Sequence, residues 1–279
     1  MKVAIVTDST ADLSTSLVES YDIHVVPNLL IIDGESLEDN KDISRQEFYE
    51  RLPWMKNPPT TATASTGTYQ QLYEELLQGG AYRILSIHAA SLLSGIYNAA
   101  SAAAQAFGER VQVIDSQQIT LGLGFQVLAA AEAVAHGLPF DKVISLIDDV
   151  RRRIRVIAML DTLEYVRRSG RVSWARAQIS NLLRVKPFLE VREGQVLRLG
   201  EARTRQNGVK RLMQFLLSLN ALERLAILHT NAEADARQFL ADLAPDLPTT
   251  PLIVNVTTII GTHVGPNGLG FAAVPRTVI

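Results

Sequence analysis

The 279-residue chain has no cysteine, which removes disulfides, thiolate-bound metals and cysteine nucleophiles from consideration. It has no excess of either charge. The 27 basic and 29 acidic residues leave a formal net charge of -2, so binding of nucleic acid through bulk charge is not expected. Long hydrophobic runs are missing too. The longest uncharged helical stretch, 119–131, is too short to cross a bilayer. The apolar start is interrupted by Asp8 before it reaches the length of a signal peptide, and the expected compartment is the cytoplasm. The rest of the composition, 47% hydrophobic and 20% charged, is ordinary for a well-packed protein. The length suits two domains or one large one.

Several catalytic signatures are also absent. There is no G-x-x-x-x-G-K-[ST] loop for phosphate. "GLGFQV" (122–127) supplies two glycines of a dinucleotide fingerprint, but Val127 replaces the third and the segment lies within a helical pattern. Histidines 24, 88, 136, 229 and 263 form no i,i+4 pair, so no zinc site is expected. The stretch "LLSGI" around Ser94 lacks the first glycine of a nucleophile elbow.

Strand-like and helical stretches alternate along the first half. "KVAIVTD" (2–8), "RILSIH" (83–88) and "VQVIDS" (111–116) predict strands. Helices are predicted over 43–52, 66–79, 94–107, from about 119 to His136, and 139–154. Such alternation predicts a mainly parallel, Rossmann-like sheet covered on both faces. The second half predicts strands at 155–160, 224–230, 252–260 and 268–274, helices at 174–183, 208–219 and 232–243, and a hairpin turning at Glu193-Gly194. A hairpin among helices implies a mixed or antiparallel sheet. The fold expected is therefore α/β in two domains, residues 1–155 and 156–279.

The remaining candidates are hydroxyls, small residues and a few arginines at element ends. "NPPTTATASTGTY" (57–69) is dense in Thr and Ser just before a helix and suits either a helix entry with alternative caps or a binding loop. Ser94 stands between a strand and a helix, where it is either a plain N-cap or a donor to an anion. His263 lies in the glycine-rich turn "IIGTHVGPNGLG" (259–270), either holding the turn together or meeting a ligand. Arg171 and Arg203 stand at turns, where a guanidinium can fork onto a phosphate or carboxylate.

Taken in order, "VTDSTADL" (6–13), "LLSGIYNAA" (92–100), "VQVIDS" (111–116), "LDTLEYVRRSGRVS" (160–173), "LLRVKPFLEV" (182–191), "EARTR" (201–205) and "IGTHVGPNGLG" (260–270) resemble the DegV family along nearly the whole chain. The resemblance implies two α/β domains and one long-chain fatty acid in a tunnel near their interface. It further implies a non-catalytic, fatty-acid-binding subunit that presents the carboxylate to a separate ATP-dependent fatty acid kinase and then holds the acyl-phosphate. No metal or cofactor is implied beyond the lipid itself, and transient contact with a membrane surface is compatible with the role. By position, Thr61, Ser94, Thr262 and His263 fall where the family contacts the carboxylate. Arg171 and Arg203 fall where it meets the kinase or the phosphoryl group. "TATAS" (61–65) departs from the family's T-S-x-P-S, with Ala62 and Ala64 in place of Ser and Pro. Asn267 stands where glycine is commoner. The competing readings are a lipid sensor without a kinase, and a hydrolase or phosphotransferase using Ser94 and His263.

Overall fold

Val3–Asp8 and Arg83–His88 are nearly continuous runs of buried residues, so each must be covered on both faces. In the computed structural model, which describes residues 2–172, 175, 185–219, 221–243 and 251–277, they are the central strands of a four-stranded parallel sheet. Its order is Ile23–Val26, Val3–Asp8, Arg83–His88, Val111–Asp115. The helices of this unit include Thr66–Gln78, Ile96–Ala104, Leu121–Ala135 and Phe140–Arg153. Leu121–Ala135 is buried on almost every side, which explains its lack of an amphipathic pattern. The amide nitrogen of its buried Gln126 donates to Gly122 O at 2.9 Å and Ser116 O at 3.1 Å.

The same helix explains the isolated glycine pattern at 122–127. A Cβ on Gly124 would stand 2.4 Å from the carbonyl oxygen of Ala11. The glycine therefore serves close packing of the helix on the turn after the first strand, and no dinucleotide motif is formed.

A second unit contains a six-stranded sheet in the order Gln195–Ala202, Lys186–Arg192, Arg155–Met159, Leu269–Pro275, Leu222–His229, Leu252–Asn255. Every neighbouring pair is antiparallel except the last, which is parallel. Met159, Phe188, Leu212, Ile227, Phe239 and Phe271 form its core together with helices Arg205–Leu217 and Glu233–Ala241. The hairpin turns at Glu193-Gly194 as expected, both residues having positive φ (51° and 75°). The fold is thus α/β, with a parallel sheet and a separate mixed sheet.

Three expectations need correction. The single cut at residue 155 does not describe the contacts, because Leu30–Thr61 belongs with Arg153–Ile279 and the other unit is Met1–Leu29 plus Ala62–Arg152. The physical reason is a shared core: Leu30, Ile32, Ile43, Phe48, Tyr49 and Leu52 pack with Ile259, and Tyr165 lies against them. The strand expected over 252–260 ends at Asn255, and Thr258–Val264 is a helix. Its β-branched run follows strand propensity, but Thr257 caps a helix there by accepting from Ile259 N. The helix expected over 94–107 is Ile96–Ala104 followed by a 3₁₀ segment, Gln105–Arg110. The helix expected over 174–183 lies outside the described residues.

The packing at Gly124 gives a direct test. Gly124→Ala gains about 1 kcal/mol of helix propensity, but forces a methyl into a backbone carbonyl, typically costing about 1–3 kcal/mol. Chemical denaturation should show net destabilisation. A variant at least as stable as the parent contradicts the packing account.

Candidate functional site

In the parallel sheet, connections leave Val3–Asp8 and Arg83–His88 in opposite directions, to Ile23–Val26 and Val111–Asp115. Open α/β sheets bind ligands at such a switch point, outside the carboxyl ends of the strands. Asp8 and His88 end the two central strands there. Asp8 Oδ2 lies 3.0 Å from His88 Nδ1 and accepts from Ala89 N at 3.2 Å. Its Oδ1 receives Thr10 N, the Thr10 hydroxyl and Asn28 Nδ2. Burial pushes the Asp8 pKa up. His88, as hydrogen-bond partner and electrostatic neighbour, outweighs that together with Thr10 and Ala89, so the net shift is downward.

The chain of bonds continues from His88 Nε2 to Ser86 Oγ at 2.7 Å and from Ser86 Oγ to Tyr73 OH at 2.8 Å. Asp8, His88 and Ser86 follow the order of a hydrolase triad. All three have 0% exposure, however, and the Ser86 hydroxyl is shared with Tyr73. The network ties strands to the loop after residue 88 and admits no substrate. That loop carries Ser94, whose N–H donates to Ala90 O at 3.1 Å and whose Oγ accepts from Ile96 N at 3.4 Å. The N-cap position itself belongs to Gly95, so Ser94 is not the plain cap.

His263 is in the last turn of helix Thr258–Val264, not in the glycine-rich turn where the sequence placed it. Gly261 serves packing here: a Cβ on it would stand 2.3 Å from Tyr49 OH. The chain after the helix is held by Thr230, which donates to Gly268 O and accepts from Asn267 N and, through its hydroxyl, from Gly268 N. Asn267 adopts φ 61°, a left-handed conformation that asparagine tolerates better than most residues. That accounts for Asn267 at a position where glycine is commoner.

The His263 ring is half-buried, and its Nε2 lies 3.0 Å from Thr61 Oγ1. Its Nδ1 is buried and has no hydrogen-bond partner among the described residues. Burial, and then the positive charge of Arg171, lower the His263 pKa from 6.5 to about 4. The ring is therefore neutral at pH 7 and carries one N–H. Between them, the ring and Thr61 own two donor protons and use one in their mutual bond. If Nε2 carries the proton, the Thr61 hydroxyl proton is left over. If Nδ1 carries it, that N–H is left over. Either tautomer leaves one unused donor, suited to an oxygen acceptor such as a carboxylate.

The other expected site residues are placed as follows. Thr262 donates its hydroxyl proton to Thr258 O at 2.9 Å, so within this helix it has no proton for a ligand. Arg171 is exposed after Gly170 and folds back onto Ser169 O at 2.7 Å. Arg203 is exposed in the bend before Thr204, the cap of Arg205–Leu217. The structure thus joins Thr61 to His263 and puts Arg171 within electrostatic reach of the ring. Among the described residues no group of acidic and histidine side chains could hold a metal, and no helix is long and apolar enough to cross a membrane. Sequence reasoning missed Asp8, His88, Asp39 and Tyr49, since bonds across long separations carry no local motif.

The low pKa fixes a pH dependence. In the unfolded chain the imidazole titrates near 6.5 and in the folded protein near 4, so the unfolded state binds more protons in that interval. Stability from keeping this ring neutral is therefore complete above pH 6.5 and is lost as pH falls toward 4. Between pH 7 and 4.5 the parent should lose more unfolding free energy than His263→Gln. Equal losses contradict a buried neutral His263.

A family model for the DegV family, described as an uncharacterised protein family, matches residues 2–276. A DegV domain-containing protein of Caldanaerobacter subterraneus is 34% identical over 274 residues, covering 96% of this chain and 97% of that one. Protein DegV of Bacillus subtilis is 31% identical over 278 residues, covering 97% and 98%. Among solved structures, a fatty-acid-binding DegV family protein of Thermus thermophilus superposes with a TM-score of 0.90 at 32% identity, covering 99% of this chain and 100% of that one. The B. subtilis DegV structure, that of a fatty acid binding protein, gives 0.86 at 29% identity with the same coverage. A match of this extent in both sequence and fold shows that the chain belongs to the DegV family.

Proposed function

We propose that the protein binds one long-chain fatty acid and holds its carboxylate with the unused donor of the Thr61–His263 pair. The observation that carries this reading is the buried Nδ1, without a hydrogen-bond partner among the described residues, on a neutral ring whose Nε2 bonds Thr61. When Nδ1 carries the proton, that buried, unpaired donor costs about 1–3 kcal/mol, which a carboxylate oxygen would recover. The fatty-acid-binding relatives from T. thermophilus and B. subtilis support the same ligand class. Ser94 is assigned a further carboxylate contact, on the strength of its family position and its place in a switch-point loop. Affinity would come mainly from the acyl chain, at about 0.8 kcal/mol per buried methylene or roughly 10 kcal/mol gross for a dozen.

The protein is further assigned the role of a non-catalytic subunit. It would present the carboxylate to a separate ATP-dependent kinase and keep the acyl-phosphate, with Arg171 and Arg203 meeting the kinase or the phosphoryl group. Their exposure, and their position at turns instead of helix faces, support that role. A Ser94–His263 hydrolase gains no support, because His263 Nε2 bonds Thr61 and Ser94 Oγ accepts from Ile96 N.

Organic extraction of the purified protein should yield about one fatty acid per chain. Thr61→Val and His263→Ala should each weaken rebinding roughly fivefold to hundredfold, with far less than additive loss in the double variant. Arg171→Ala and Arg203→Ala should retain lipid but fail to support acyl-phosphate formation with the kinase and ATP. Lipid-free protein that cannot be loaded, or unchanged affinity in both Thr61→Val and His263→Ala, contradicts the binding reading.

A further inference from the structure

Three side chains between residues 39 and 49 fasten four consecutive residues at the base of the His263 helix. Arg45 donates to the Asn255 carbonyl, and the Tyr49 hydroxyl donates to the Val256 carbonyl at 2.9 Å. Asp39 accepts the hydroxyl protons of both Thr257 and Thr258, the second at 2.7 Å. Asp39 is the unusual member, a carboxylate only 3% exposed whose partners among the described residues are hydroxyls and not a cation. Burying a carboxylate without an ion pair is unfavourable by several kcal/mol unless its hydrogen bonds compensate. Helix capping by Thr257 alone does not require it, since threonine is already a good N-cap.

What Asp39 adds is a fixed direction. Helix Thr258–Val264 has seven residues, too few to be stable without tertiary anchors. His263 lies five residues from its start, about 7.5 Å along the axis. A tilt of roughly ten degrees at the base therefore moves the His263 backbone by about 1 Å, enough to lose a bond of 3.0 Å to Thr61.

We infer that Asp39 is the positioning residue for His263. Through the Thr257 and Thr258 hydroxyls it locks the start of the helix, so that the imidazole meets Thr61 in the geometry that receives a fatty-acid carboxylate. The inference rests on the binding reading above. It adds to that reading a residue which touches neither His263 nor the ligand.

The test is a double-mutant cycle on fatty-acid affinity, measured with the delipidated full chain and a long-chain fatty acid. Asp39→Asn should weaken binding about tenfold in the parent and almost not at all in a His263→Ala background. The ring nitrogen signals of His263 should shift in Asp39→Asn while the amide spectrum of the parallel-sheet unit stays unchanged. Thr258→Val removes one of the two hydroxyls and should show a smaller loss with the same dependence on His263. It carries the test if Asp39→Asn does not fold. Undiminished loss in the His263→Ala background, or full affinity in Asp39→Asn, overturns the inference while leaving the binding reading intact. Unchanged affinity in His263→Ala alone overturns the site assignment, and with it this inference.

Discussion

The bond between Thr61 and His263 joins residues 202 positions apart in the chain, and much of the second unit is arranged so that it can form. An imidazole and a hydroxyl held this close, with one ring nitrogen shut away from water, require two short elements to be fixed independently. Residues 30–61 are fixed by their apolar side chains, which share a core with Ile259 and Tyr165. The helix that carries His263 is gripped at its base by Asp39 and Tyr49. The chain following it is held by Thr230 and by Arg205, which donates to Asn267 O at 2.7 Å. Because the ring is neutral, the pair has one donor more than it uses. In the proposed function a carboxylate oxygen takes up that donor.

The parallel-sheet unit solves a different problem with the same means. Asp8 sits at zero exposure at the end of a central strand, where an unpaired carboxylate would be prohibitive. His88, Thr10, Asn28 and the Ala89 amide satisfy it, and Ser86 and Tyr73 extend the chain of bonds. The result is a rigid origin for the loop that carries Ser94. Gly124 complements it by letting a buried helix approach the Ala11 carbonyl. The polar network and the absent side chain both serve to hold loops at the carboxyl ends of the strands.

Much of this was legible in the residue order, for reasons that are local. The strands at 3–8, 83–88 and 111–115, the helices capped by Ser44 and Ser65, and the hairpin at Glu193-Gly194 follow from burial runs, cap chemistry and turn preference. The residues Thr61 and His263 were indicated by family position. The helix at 258–264 was not legible, since "VTTII" favours a strand, whereas the helix that Thr257 caps is anchored by Asp39, far away in sequence. Nor was the allegiance of residues 30–61, which depends on apolar contacts with Ile259. Thr262, suggested by its place beside His263, donates its hydroxyl proton within its own helix. Side-chain direction of that kind follows from the helix, which the sequence reading lacked.

The proposed site depends on a neutral His263 whose pairing with Thr61 leaves one donor for a carboxylate. The most direct measurement is nitrogen-15 NMR of the His263 ring during titration with a carboxyl-labelled long-chain fatty acid at pH 7. A neutral-imidazole pattern should be seen without ligand. One equivalent should then move the ring signals to saturation, together with the labelled carboxyl resonance. Ring signals already characteristic of imidazolium, or ring signals that stay still while the lipid binds, would contradict it.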